Sequence, residues 1–152
     1  MAYDAATVAN RFIELAAADG REFTPMQLIK LSYIAHGFSL AIYKRPLLKE
    51  AVEAWRYGPV IPSLYKRLKT YGSDGVSQPV RANWGRKEAL EDEDRKLLDI
   101  VFQKYGHLTG IQLSHLTHRN GTPWAESYSP DEYGTDIDDK LIRTHYATLL
   151  SK

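Results

Sequence analysis

The chain has 152 residues, of which 43% are hydrophobic and 26% charged, a composition typical of one globular domain and unlike that of disordered proteins. Twenty basic and nineteen acidic residues leave a net charge of +1, without the basic excess that general phosphate binding requires. The lack of cysteine excludes disulfides and thiolate chemistry, and the lack of a signal peptide or of an apolar run of about 18–20 residues predicts a cytoplasmic protein outside membranes.

The first two predicted helices carry the clearest local signals. Asp4 is placed to cap the first helix, which Asp19-Gly20-Arg21 interrupts. The second helix opens with Thr24-Pro25-Met26-Gln27, a capping box with proline at the first helical position, and Arg45-Pro46 ends it. Spacings of three and four residues predict that one face of this helix is buried, through Leu28, Leu31, Ala35, Phe38 and Ile42.

A short β element is predicted after the second helix. Val52 to Tyr57 is rich in strand-forming residues, and the prolines at 59 and 62 exclude a central strand because proline cannot donate to a ladder. We expect Gly58 and Pro59 to form a fixed turn. A second strand at Pro79–Arg81 would complete a two-stranded hairpin.

The rest of the chain predicts helices. Leu64, Leu68 and Tyr71 mark a third helix, and the acidic turn Glu91–Asp94 suits the N-terminus of a fourth. A second capping box, Thr109 to Gln112, begins a helix that runs to about His118. Thr122-Pro123-Trp124 begins a short helical turn, and a last helix is entered through Thr135 or Asp136. The predicted fold is mainly α, with residues 1–152 as a single compact helical domain that contains a minor β element, a short strand or a two-stranded hairpin.

Catalytic and metal-binding patterns are weak. His115 and His118 lie three residues apart on one helix, but zinc needs more ligands than this pair supplies, so we expect no metal site. His118 is expected to bond backbone near Asn120 or Trp124. Nucleophile elbows and phosphate-binding glycine loops do not occur, and the acidic clusters fit helix starts. The sequence therefore predicts a protein that is not an enzyme and has no cofactor.

Nucleic-acid binding is the weaker of two binding hypotheses. Basic residues occur on the third helix and in the following loop, beside Trp84: Lys66, Arg67, Lys69, Arg81, Arg86 and Lys87. Aromatic residues interleaved with arginine can stack on single-stranded bases, but solvated helix faces also carry such residues. The ten tyrosines and three tryptophans suit either a core or a protein interface.

Three blocks of sequence carry a resemblance to a known family. They are the helix around Leu28–Phe38, the segment Trp55-Arg56-Tyr57-Gly58-Pro59-Val60-Ile61-Pro62, and Leu116-Thr117-His118-Arg119-Asn120-Gly121-Thr122-Pro123-Trp124. In these blocks the chain resembles the Panacea domain, the SocA-like antitoxin family that also includes phage-associated GepA-like proteins. The Trp-x-Tyr-Gly-Pro-Val element is the most specific of them.

The resemblance implies an antitoxin of a bacterial or phage toxin–antitoxin system that binds its cognate toxin protein directly. The alternatives are an adaptor that delivers the toxin to a protease, or a phage protein that docks on a host factor. Irregular segments on a helical scaffold often carry binding surfaces, so we expect the second and third blocks to lie close together. The predicted partner-binding residues are Tyr57, Gly58, Pro59, Tyr65, His118, Arg119 and Trp124.

Overall fold

The elements of the fold follow the local signals closely. The computed structural model of the chain describes residues 2–82 and 88–152. In these residues the helices are α1 Ala5–Ala18, α2 Pro25–Tyr43, α3 Pro62–Leu68 with a 3₁₀ turn at Lys69–Tyr71, α4 Asp92–Tyr105, α5 Gly110–His118, α6 Pro123–Ser127 and α7 Asp139–Leu150. The strands are β1 Glu53–Trp55, β2 Gly58–Val60 and β3 Thr135–Asp136. The prediction of a mainly α protein with a minor β element is confirmed.

The predicted helix caps are present. The Asp4 carboxylate accepts from the amide of Ala6, and both capping boxes, Thr24 with Gln27 and Thr109 with Gln112, are formed. These bonds satisfy amides that have no partner within the helix. No helix among the described residues combines the length and the apolarity that a bilayer span requires.

Helix α2 is the centre of the fold. Helices α1, α4, α5 and α7 all pack on it, and every residue from 28 to 41 is buried. The prediction of one buried face was therefore wrong, because helices from both ends of the chain cover α2 on all sides. Ile42 was predicted to be buried, but it follows the buried stretch and is 44% exposed. The all-round burial encloses polar residues as well, including Lys30 and His36.

The β element is a hairpin with a third strand. The strand order is β2-β1-β3, both pairs are antiparallel, and Trp55 lies opposite Gly58. The turn is thus Arg56-Tyr57, and the expected turn at Gly58 and Pro59 was placed too late. Pro59 is tolerated inside β2 because β2 is an edge strand. Gly58 has a φ of +122°, a conformation that other residues rarely adopt.

Strand β3 replaces two other predictions. Residues 79–81 form no strand. Thr135 and Asp136 pair with β1 instead of entering the last helix, so α7 begins at Asp139 with Asp138 as its cap. Neither change has a strong local signal, because β3 has only two residues and depends on the β1 edge for its hydrogen bonds.

A buried polar cluster connects the N-terminal segment of the chain to the end of α2 and the start of α4. The Asp94 carboxylate accepts from the Tyr3 hydroxyl at 2.7 Å and from the Arg45 guanidinium at 3.0 Å. The Tyr3 oxygen also accepts from the amide of Glu91. Burial raises the pKa of Tyr3 to about 12, with Asp94 adding to the effect. The cluster links residues before α1, after α2 and in α4.

Candidate protein-binding face

The two irregular blocks lie against each other. The indole Nε1 of Trp124 donates to the main-chain oxygen of Trp55 at 2.5 Å. The Ser114 hydroxyl on α5 donates to the main-chain oxygen of Tyr57 at 2.7 Å. Side chains of α5 and α6 thus satisfy carbonyls at the tip of the β1–β2 hairpin and hold the hairpin in place. The expected proximity of the two blocks is confirmed.

His118 contributes to this junction from the end of α5. Its Nδ1 bonds the carbonyl of Ser114, one turn earlier on the same helix, and not backbone near Asn120 or Trp124 as expected. Its ring packs edge-on against Trp124 at 5.2 Å and stacks on His115 at 5.6 Å. No group of three or more potential metal ligands occurs among residues 2–82 and 88–152.

The seven predicted partner-binding residues divide into two sets. Tyr57 is 64% exposed, Tyr65 is 40% exposed, and Arg119 is also exposed, so these three can reach a partner. The other four are buried or half-buried and form the junction beneath, namely Gly58, Pro59, His118 and Trp124. Their role in partner binding stays a prediction.

A cavity of about 350 Å³ opens beside the hairpin. Its walls come from the start of α2, from the hairpin and from α3, and are mainly apolar; they include Pro25, Met26, Ile29, Trp55, Tyr57, Val60 and Tyr65. Trp55 and Tyr57 both line this opening between the hairpin and α2. The Trp55 ring meets Tyr65 edge-on at 5.0 Å and lies 5.9 Å from Tyr133.

Lys30 lies at the inner side of this cavity. It is 3% exposed, and its ammonium donates to the carbonyl of Pro59 at 2.7 Å. No ion pair of Lys30 occurs within the described parts of the chain. Burial lowers the pKa of Lys30 to about 7, because a buried charge without a counterion loses its hydration.

Sequence reasoning missed Lys30. One signal was available, since Ile29, Tyr33 and Ile34 are apolar yet lie outside the predicted stripe of α2. A helix that is apolar on all sides is a buried helix, and its lysine is then buried too. The sequence has no comparable signal for Ser114, because its hydroxyl donates to the carbonyl of a residue 57 positions away.

The cavity lining is basic. Lys30, Arg56 and Lys69 contribute to it, and none of the described residues that line it is acidic. The Arg56 guanidinium lies 5.3 Å from the centre of the Tyr57 ring, a cation–π contact at the rim. The nearby carboxylate of Glu53 accepts from the Trp55 indole at 2.9 Å and does not line the cavity.

The basic residues considered for nucleic-acid binding that the structure describes lie on α3, directly after it and in the following loop. The Arg67 guanidinium contacts the buried Asp4 carboxylate at 3.0 Å, which links α3 to the start of α1. Lys66 and Lys69 are exposed on and after α3, and Arg81 is exposed in the following loop. Trp84, Arg86 and Lys87 lie outside the described residues.

Comparisons with known proteins agree with the three blocks. A family model described as antitoxin SocA-like, Panacea domain, matches residues 28–125, the range that contains all three. Antitoxin SocA of Caulobacter vibrioides (strain NA1000 / CB15N) is 32% identical over 158 aligned residues, which cover 94% of this chain and 82% of that protein. No solved structure matches the chain.

Proposed function

We propose that this chain, which belongs to the antitoxin SocA-like family with a Panacea domain, neutralises a toxin protein by binding it directly. The family supports an antitoxin role. The observation that carries direct binding is the junction of the two blocks, where buried residues hold Tyr57, Tyr65 and Arg119 at the surface. Tyrosine and arginine are enriched among the residues that dominate protein-interface energetics.

The hairpin tip suits a binding surface because its backbone is fixed before a partner arrives. Bonds from Ser114 and Trp124 hold the carbonyls of Tyr57 and Trp55. A rigid surface loses little conformational entropy on association, so more of the contact energy contributes to affinity. Neutralisation of this kind requires tight association and no catalytic step by this chain.

A growth-rescue experiment tests the antitoxin role. The protein encoded by the adjacent gene is expressed alone and together with this chain. Expression alone should stop growth, and co-expression should restore it. A neighbouring protein that is harmless, or whose toxicity this chain does not relieve, would contradict the proposal.

Surface variants test the proposed face. Tyr65→Ala and Arg119→Ala should abolish rescue while the melting temperature stays within a few degrees of that of the wild type, since both side chains are exposed. Matched controls lie on α4, where Ile100→Ala and Lys104→Ala also remove exposed side chains. Equal loss of rescue in the controls, or loss only in unfolded variants, would place the binding face elsewhere.

A decay time course separates direct neutralisation from delivery to a protease. The abundance of the toxin is followed after synthesis is stopped, with and without this chain. A neutralising complex leaves the toxin's half-life unchanged or longer. A shorter half-life would show that this chain acts as a proteolytic adaptor.

A further inference from the structure

We propose that the cavity between the hairpin, α2 and α3 is the anchor site for the toxin, and that it takes a large apolar side chain next to a carboxylate. The ligand class is thus an acidic segment with an aromatic or aliphatic residue. This inference rests on the proposed function, because it names the chemistry that the binding face recognises. Three features of the cavity favour such a ligand: its shape, its charge and the position of Lys30.

The shape fits one large side chain. The cavity volume is about 350 Å³, and the walls include the aromatic rings of Trp55, Tyr57 and Tyr65. The exposed rings of Tyr57 and Tyr65 lie at its rim, so an entering side chain would cover them. Anchors that fill such apolar pockets commonly dominate the energy of an interface.

The positive charge of the cavity favours an acidic group next to the side chain that enters it. Arg56 and Lys69 place two cations around the cavity, Lys30 adds a third when it is protonated, and no described residue of the lining supplies a carboxylate. An acidic segment would be attracted to this face, whereas a basic one would be repelled. The cations therefore favour a partner with Asp, Glu or a chain-terminal carboxylate beside the anchor.

Lys30 gives the cavity a specific polar group. Its ammonium carries three donors, yet within the described residues it has a single acceptor, the carbonyl of Pro59. A buried ammonium with unused donors gains more from a carboxylate than an exposed one would, because the site excludes water. An incoming carboxylate would supply the counterion that Lys30 lacks within the described part of the chain.

The structural alternative is that Lys30 only ties β2 to α2. In that case the bond to Pro59 is its whole role, and the cavity has no preference for anions. The two possibilities differ in what the cavity binds, so a small probe separates them without the toxin.

The probe is N-acetyl-L-phenylalanine, which joins an aromatic side chain to a carboxylate. Titration into the ¹⁵N-labelled full chain should shift the signals of residues around the cavity, including the Trp55 indole, with a dissociation constant on the order of 1 mM. N-acetyl-L-phenylalanine amide, which lacks the charge, should bind about tenfold more weakly. Equal binding of the two compounds, or no shift at the cavity, would overturn the proposal.

Two variants check the site. Lys30→Met should remove the preference for the carboxylate over the amide while the aromatic ring still binds. Tyr65→Ala should weaken both compounds about equally; it decides the question if Lys30→Met does not fold, because the Tyr65 side chain is partly exposed at the rim. A preference that survives in Lys30→Met, or unchanged affinity in Tyr65→Ala, would contradict the assignment.

The outcomes distinguish this inference from the function on which it rests. If growth is rescued but the two compounds do not bind in the cavity, the chain is an antitoxin that binds its toxin through other contacts. If the probes bind as expected but no toxin is neutralised, the cavity recognises acidic segments of another partner.

Discussion

Asp94 and Lys30 are both buried ionisable residues, but their surroundings are opposite. Asp94 is fully buried and receives hydrogen bonds from Tyr3 and Arg45, so its charge is compensated. Lys30 is almost as buried, and its partner is a neutral carbonyl beside a cavity. Burying a charge is costly unless it is paired, so the pairing at Asp94 indicates a structural role. Lys30 has no ion pair among the residues that the structure describes, which favours a role in binding.

Removing Asp94 should have the largest effect. Asp94→Ala leaves the Arg45 charge and the Tyr3 hydroxyl without their buried acceptor, and should lower the free energy of unfolding by about 3–5 kcal/mol. Denaturant titration measures this loss. Asp92→Ala, an exposed carboxylate in the same helical turn, is the matched control and should cost no more than about 1 kcal/mol. A similar small loss for both variants would remove the distinction between the two buried charges.

The pH dependence of stability tests whether the Lys30 ammonium lacks a counterion, as it does among the described residues. Its pKa is about 7 in the folded protein and 10.5 for a lysine exposed to water, so the unfolded chain binds more protons between these values. The free energy of unfolding should therefore rise with pH, by about 2 kcal/mol between pH 7 and 9 from this residue. The charged or titratable groups that share its cavity are Arg56, Tyr57, Tyr65 and Lys69.

The Lys30→Met variant isolates that contribution. The free energy of unfolding of this variant, measured at the same pH values, should lack the rise that Lys30 adds. Subtracting the variant's curve from that of the wild type cancels the contributions of the other titratable groups. Parallel curves for wild type and variant would mean that Lys30 keeps an ordinary pKa and that its charge is compensated.

The Trp55→Ala variant tests how much the packing beside the cavity contributes to stability compared with the packing of the core. A fully buried tryptophan would cost about 3–5 kcal/mol when truncated. The half-buried Trp55 borders the cavity, so we expect a loss of about 1–2 kcal/mol, together with loss of rescue. Phe12→Ala, in the fully buried part of α1, should cost the larger amount. Thermal and denaturant unfolding of both variants would decide, and equal losses would show that Trp55 belongs to the core.

The smallest expected stability effects belong to the exposed rim. Arg119→Ala should lower the free energy of unfolding by less than about 0.5 kcal/mol, and Tyr65→Ala, which loses the edge-on contact with Trp55, by less than about 1 kcal/mol. Both variants should lower the affinity for the toxin. Calorimetric binding alongside denaturant unfolding separates the two quantities. A stability loss as large as that of Trp55→Ala would mean that these side chains support the scaffold.

Much of the candidate face could be predicted from the sequence. The Trp55–Pro62 and Leu116–Trp124 blocks were recognisable by their residues, and their proximity followed from the expectation that irregular segments share a surface. The cavity was not predictable, because its walls combine α2, the hairpin and α3 at a separation that no local pattern encodes. The family model covers residues 28–125, so assignment of α1 and α7 to the same Panacea domain stays a prediction.

The sequence by itself determined where most helices begin and end. Caps such as Asp4 and Thr24 act on amides two or three residues away, so the information is local. Tertiary structure alone decided which charges are buried. Tyr3 and Asp94 are 91 residues apart in the chain, and Lys30 became enclosed because helices from both ends pack around α2. Burial depends on which distant segments meet, and a pattern within one helix cannot report its neighbours.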